Sequence, residues 1–258
     1  MKKIYSIGGA GNVFLQQIYM QNLKVAFTSS DFLVRGFVRR LLRHTDHSLR
    51  ASDLFEIEAS ENYFYNILLI FDLMIGRFFG WTLFSTLDLR SIKARPLIRD
   101  LLYLGYFQEG LRLDLCNPSS LLRVSNTKNN LRYDLAIHIR GGDFKKTNNC
   151  LGGDYYRDAY LNLSRALDMT QFSVAVITDD KPYSRSIVEQ IEGLVVYDLI
   201  SDSPVQDFYL LAGASNLICS NSTYCLMAAT NCSGIKVLPR LFFKKMEIIY
   251  DPESTIII

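Results

Sequence analysis

From residue 133 to residue 238 the chain alternates short, almost wholly apolar runs with amphipathic stretches. YDLAIHIR (133–140), FSVAVIT (172–178), LVVYDL (194–199) and NLICS (216–220) read as strands. DYYRDAYLNLSRAL (154–167), PYSRSIVEQI (182–191), PVQDFYLLAGA (204–214) and TYCLMAAT read as the helices between and after them, and IKVLPRLFF as a final extended segment. A strand that is apolar at nearly every position has to be buried on both faces, and a helix between two such strands supplies the crossover that a parallel pair needs. No other feature constrains the chain as tightly. It predicts an α/β fold on a parallel sheet with helices on both sides.

The first half is less regular. KKIYSI reads as a strand, GGAGN as a turn, NVFLQQIYMQNL as a helix and VAFTS (25–29) as a second strand, a β–loop–α–β opening. Residues 31–110 read as largely helical. The Pro-, Asn- and Ser-containing stretch NPSSLLRVSNTKNNL (117–131) is the expected linker, which divides the chain into domains 1–125 and 126–258. The most membrane-like segment is 62–84, but Asp72 and Arg77 interrupt it, so a buried or surface-docked helix is expected rather than a spanning one. Trp81 and the phenylalanines beside Arg77 leave peripheral membrane contact open.

Composition excludes several classes of partner. Net charge is +2 with no basic arm, so nucleic acid is not an expected partner. The five cysteines are odd in number and show no CxxC spacing, which argues against a disulfide framework or a zinc site and for reduced thiols in a cytosolic protein. The N-terminal MKKIYSIGGAGN has too short an apolar stretch to read as a signal peptide.

In open parallel sheets, ligands bind beyond the carboxyl ends of the strands, and the chemically unusual residues fall there. KKIYSI runs into Gly8, Gly9, Gly11 and Asn12, LAIHIR into Gly141, Gly142 and Asp143, VAVIT into Asp179 and Asp180, and NLICS into Asn221, Ser222 and Thr223. These four strand ends are expected to converge on one crevice. His138 and Arg140 are two apart and so share a face of their strand. A guanidinium at that place can grip a phosphate through two hydrogen bonds. Gly141 and Gly142 would let the backbone turn and approach a ligand. Asp143 could orient Arg140, bind a sugar hydroxyl or accept a proton, and it could equally close the loop as a plain ion pair. Asn221, Ser222 and Thr223 suit a helix cap, and the same geometry suits a phosphate. Asp179 and Asp180 fit ribose acceptors, a metal pair or the opening of a helix before Pro182. From Gly9 the sequence GAGNVF puts Phe14 where a dinucleotide fingerprint has its third glycine, which argues against a nicotinamide-dependent oxidoreductase.

Taken in order, several of these segments resemble the α-1,2-fucosyltransferases of glycosyltransferase family 11. GGAGNVFLQQ (8–17) is similar to the family's GGLGNQ-F-Q stretch, Gly105-Tyr106-Phe107-Gln108 to its GYFQ element, and HIRGGD (138–143) to its HxRRGD motif. ITDD (177–180) resembles its acidic strand end, and DFYLLAGASNLICSNSTYCLMAA (207–229) its DFYLM…NSSFSWW-A segment. The resemblance implies a GT-B-like chain of two Rossmann-like domains: an N-terminal acceptor-side domain and a C-terminal domain that binds the nucleotide sugar. It implies an inverting, metal-independent transfer of fucose from GDP-fucose to a galactoside hydroxyl, with no cofactor. Arg140 would contact the diphosphate, Asp143 is the candidate general base, and His138 stands with them. Gly9, Gly11, Asn12, Asp179, Asp180, Asn221, Ser222 and Thr223 would complete the donor site. The implied setting is bacterial surface-polysaccharide assembly, with a lipid-linked glycan acceptor at the inner face of the cytoplasmic membrane. The sequence departs from the family pattern at Gly141, which replaces the second arginine, and at Leu226 and Met227, which stand near the place of its paired tryptophans. These departures keep two alternatives in view: a transferase of the same fold with another nucleotide sugar, and a non-catalytic nucleotide-sugar or glycan-binding protein.

Overall fold

A computed structural model describes residues 2–5, 10–22, 27–30, 63–83, 85–88, 93–98, 102–105, 111–112, 133–200, 203–240, 242, 248–249 and 253–258. The chain forms two compact units, Met1–Asn117 with Leu121–Arg123, and Pro118–Ser120 with Val124–Ile258. The expected linker, the helical reading of 31–62, Gly8 and Gly9, and Tyr106, Phe107 and Gln108 lie outside the described residues.

The N-terminal unit carries β1 (Lys2–Tyr5), α1 (Ala10–Asn22), β2 (Phe27–Ser30), α2 (Tyr63–Phe79), β3 (Trp81–Thr82), β4 (Ser85–Asp88), β5 (Lys93–Pro96), β6 (Leu102–Gly105) and β7 (Leu111–Arg112). Its six-stranded sheet has the order β2-β1-β6-β4-β5-β3 and is parallel except for the β4–β5 pair. This corrects the expectation of a largely helical stretch up to residue 110. The strands there are two to four residues long, too short for a period-2 signal to emerge from mixed side chains. The β–loop–α–β opening is present as β1, α1 and β2, with the helix starting at Ala10, so that Gly11 and Asn12 lie in its first turn. Val13, Phe14, Leu15 and Ile18 of that helix are buried.

The C-terminal unit carries β8 (Leu135–Ile139), α3 (Gly142–Lys146), α4 (Gly153–Leu167), β9 (Val174–Thr178), α5 (Lys181–Val188), β10 (Val196–Ile200), α6 (Pro204–Gly213), β11 (Asn216–Ile218), α7 (Thr223–Ala229), β12 (Lys236–Leu238), β13 (Ile248–Ile249) and β14 (Thr255–Ile257). Its six strands are all parallel, in the order β10-β9-β8-β11-β12-β14. Numbered within the sheet, that is 3-2-1-4-5-6, the doubly wound arrangement. Every residue of β8, β9 and β11 is buried, as the apolar runs require. On one face Leu135, Ile137 and Ile139 of β8 and Val174 and Val176 of β9 pack against Tyr156, Ala159, Tyr160 and Leu163 of α4 and Ile187 of α5. The strand order reverses between β8 and β11, which pair directly with Ile137 opposite Ile218. In a sheet of this kind the crevice for a ligand opens at the carboxyl ends of those two strands.

Candidate functional site

His138 lies on the face of β8 opposite the Ile137–Ile139 row, and Arg140 follows immediately after the strand. Arg140 is held by two carboxylates. Its Nε and Nη2 donate to Asp143 Oδ1 at 3.1 and 2.8 Å, and its Nη1 lies 2.9 Å from Asp179 Oδ2. The other oxygen of Asp179 accepts the Gly141 N–H at 2.9 Å, so this one side chain ties the end of β9 to both the backbone and the guanidinium at the end of β8. A guanidinium has five N–H donors. These contacts use one hydrogen each on Nε, Nη1 and Nη2, and the remaining two donors have no partner among the described residues.

The two glycines are there for space, not for turning. Gly141 has φ −115°, which any residue adopts. A Cβ at Gly141 would sit 2.6 Å from Asp180 Cβ and 3.0 Å from Tyr183 Cδ1, and one at Gly142 would sit 2.5 Å from Asp179 Oδ2. The expectation that these glycines bend the backbone toward a ligand is therefore corrected. They let the two aspartates of β9 come in close. The same contacts leave no room at residue 141 for a second arginine in this arrangement.

Asp180 has a different task from Asp179. Its Oδ1 accepts the Tyr183 N–H at 3.1 Å and caps α5, and its Oδ2 pairs with Lys145 Nζ. The lysine, with help from the Tyr183 N–H, holds the Asp180 carboxyl below the usual carboxylate range. Lys145 also lies over the Tyr183 ring, 4.9 Å from its centroid. Both aspartates thus face cations, which does not fit the metal-pair reading of Asp179 and Asp180.

Across the switch point, His138 Nδ1 is 2.7 Å from Ser220 Oγ, and the imidazole ring packs 5.6 Å from the Tyr224 ring. His138 is buried, and this contact links β8 to the segment that follows β11. Asn221 donates from Nδ2 to Asn149 O at 2.8 Å, while its buried Oδ1 has no hydrogen-bond partner among the described residues. Ser222 caps α7, accepting the Tyr224 N–H at 3.3 Å, and Thr223 is buried in the first turn. The cap reading of these residues is what the geometry displays. Beneath them, Cys219 and Cys225 are buried free thiols. Burial pushes the Cys219 thiol up. Burial acts the same way on Cys225, but a hydrogen bond with Cys219 and the nearby His138 outweigh it and bring Cys225 down to about 6.

Of the residues named from sequence, the structure brings Arg140, Asp143 and Asp179 into one hydrogen-bonded group, with Asp180 beside it on Lys145 and the α5 cap. It sets His138, Asn221, Ser222 and Thr223 on the neighbouring strand end or just behind it. Gly11 and Asn12 belong to α1 of the other unit, whose β1 lies in a separate sheet. Sequence reasoning missed Lys145, Ser220 and Thr178, whose Oγ1 accepts from Asp180 N at 2.9 Å and from Ser184 Oγ at 2.6 Å. Thr178 and Ser220 stand at strand ends already under suspicion, and that position was the signal that could have found them.

No family model matches the chain, and no curated protein matches it in sequence. Among solved structures it is similar to POFUT1 in complex with GDP, at 10% identity and a TM-score of 0.46 over 89% of this chain and 94% of that one. It is also similar to the NodZ alpha-1,6-fucosyltransferase soaked with GDP-fucose, at 11% identity and a TM-score of 0.37 over 89% of this chain and 92% of that one.

Proposed function

We propose that the chain is an inverting glycosyltransferase that moves fucose from GDP-fucose to a galactoside hydroxyl, of the α-1,2 type, without a metal ion. The observation that carries this reading is Arg140 at the switch point of a doubly wound sheet, fixed by Asp143 and Asp179 with two N–H donors still to give. The motif resemblance of HIRGGD, ITDD and the 207–229 segment supplies the substrate class.

In this reaction the acceptor oxygen attacks the anomeric carbon as the bond from that carbon to the diphosphate oxygen breaks. Negative charge grows on the departing GDP, and the paired donors of Arg140 meet it. Preorganised charge of this kind is usually the largest contribution to such a catalyst. Asp143 and Asp179 keep the guanidinium from having to reorient as the charge develops. The acceptor proton passes to a base, for which the exposed Asp143 is the candidate through its Oδ2. His138 acts at one remove, by holding Ser220. The acceptor is a galactoside-terminated glycan, lipid-linked in a surface-polysaccharide setting.

Gly141 favours one second reading. Without the second arginine of the family motif, the same fold could accept another nucleotide sugar. The experiment is to incubate purified protein with GDP-fucose and EDTA and to follow GDP release with and without β-galactosyl acceptors, alongside Arg140→Ala. Acceptor-dependent release that persists in EDTA and collapses in the variant supports the proposal. Release only from a different nucleotide sugar transfers the reading to that donor, and binding without turnover makes the protein a nucleotide-sugar receptor.

A further inference from the structure

Helix α2 of the N-terminal unit is apolar on two opposite sides. Asp72, Leu73 and Gly76 form its buried side, and the Asp72 carboxylate accepts the Leu83 N–H at 2.9 Å. At roughly 100° per residue, Phe71, Met74 and Phe78 fall on the other side. All three are exposed, Phe78 by 77%, and Phe79 at the helix end is 67% exposed. A second apolar strip adjoins them. Leu97 donates its N–H to Thr82 O at 2.8 Å and Ile98 to Leu83 O at 3.1 Å, so two exposed aliphatic residues are anchored beside the strand that leaves the helix. Trp81 lies opposite Arg95 in the β3–β5 register, and its ring is 5.8 Å from that of Phe79.

Two cations flank this surface: Arg77 and Arg95 are exposed. No helix among the described residues is long and apolar enough to cross a membrane.

We propose that this surface docks the N-terminal unit onto an anionic lipid bilayer. Aromatic and aliphatic side chains on one helix face, with arginines beside them, are the composition of a segment that lies in the headgroup region instead of spanning it. The cations select anionic over neutral headgroups. A second copy of the chain is a poorer occupant, because pairing the face with itself would gather the Arg77 and Arg95 cations of both copies. The docking is independent of the sugar-transfer reading, since it concerns other residues and its test reads no turnover.

Trp81 is the chain's single tryptophan, so it reports on this surface without labelling. The full chain is titrated with vesicles of phosphatidylcholine alone and with vesicles containing phosphatidylglycerol, brominated acyl chains serving as quencher. With the anionic vesicles, Trp81 emission shifts to the blue, is quenched by the brominated lipid, and the protein co-sediments. Phe78→Ser with Phe79→Ser lowers the apparent affinity at least about tenfold. Arg77→Gln with Arg95→Gln abolishes the preference for the anionic vesicles and the sensitivity to salt. All substituted residues are exposed, and unchanged melting curves verify that the variants fold. An unmoved Trp81 spectrum with anionic vesicles overturns the proposal, as does vesicle binding that the phenylalanine variant retains in full. So does self-association that the phenylalanine variant removes while vesicles are ignored, which would assign the surface to a second copy.

Discussion

Gly142→Ala tests the arrangement around Arg140 with a single methyl group. Its Cβ would lie 2.5 Å from Asp179 Oδ2, whereas ordinary contact begins near 3.4 Å, so the carboxylate has to retreat by 3.4 − 2.5 = 0.9 Å. The bonds it makes to Gly141 N and to Arg140 Nη1 are both 2.9 Å long, and a retreat of that size along either takes it out of hydrogen-bond range. A hydrogen bond to a charged acceptor contributes about 1.5–3 kcal/mol. A half-exposed ion pair adds up to about 1 kcal/mol. Allowing for partial relaxation of the side chain, the variant loses about 2 kcal/mol of stability, or roughly 4–8 °C in melting temperature. Arg140 loses its anchor with it, so GDP affinity falls about tenfold, equivalent to about 1.4 kcal/mol. Melting curves and calorimetric titration of GDP read the two quantities on the same samples. The decisive comparison is a double-mutant cycle with Asp179→Ala. Because the alanine methyl acts through Asp179, Gly142→Ala adds almost nothing in the Asp179→Ala background. Additive losses would mean that the methyl meets something else and that Asp179 does not brace Arg140.

Three further outcomes follow from the same geometry. Gly141→Arg, which rebuilds the second arginine of the family motif, lowers the melting temperature by roughly 5–10 °C instead of raising activity, because its Cβ meets Asp180 Cβ at 2.6 Å and displaces the α5 cap. Asn216→Ala costs about 1–3 kcal/mol in a denaturant titration, since Asn216 Oδ1 accepts the Ile235 N–H, which loses that partner, while Asp134 O loses the Nδ2 donor but keeps the Asn216 backbone N–H. The Asp180 carboxyl is held low by Lys145 and that of Asp134 by the Ser173 backbone N–H and hydroxyl. Carboxylates depressed in the folded state contribute stability that is present above the unfolded value near 3.8 and is lost as pH falls through the folded values. Melting temperature therefore drops below about pH 4, and Asp134→Asn flattens that acid limb.

The C-terminal sheet was legible because β8, β9 and β11 are buried along their whole length, and full burial writes itself as an unbroken apolar run. In the N-terminal sheet β1 and β2 were legible in KKIYSI and VAFTS, but β3 to β6 were not, because they are short and one pair is antiparallel, so neither a long run nor a clean alternation marks them. At the site, sequence located Arg140, Asp143, Asp179 and Asp180 correctly as strand-end residues but misjudged how they work together. Gly141 and Gly142 read as turn residues because a glycine pair normally signals backbone freedom. Their real constraint is Asp180 and Asp179, respectively 39 and 37 residues further along the chain, a distance that the parallel pairing of β8 and β9 closes. Likewise His138 has the right face for a ligand contact, and only its bond to Ser220 across the switch point reveals that it is committed inside the fold.

The central claim is that the two remaining N–H donors of Arg140 take a nucleotide diphosphate at the β8–β11 switch point. Calorimetric titration of GDP and of guanosine into the wild-type protein and Arg140→Ala tests it most directly. The account predicts that GDP binds at least about tenfold more tightly than guanosine to the wild type, and that the variant brings GDP down to the level of guanosine while leaving guanosine unchanged. Equal affinity of both proteins for GDP would contradict it.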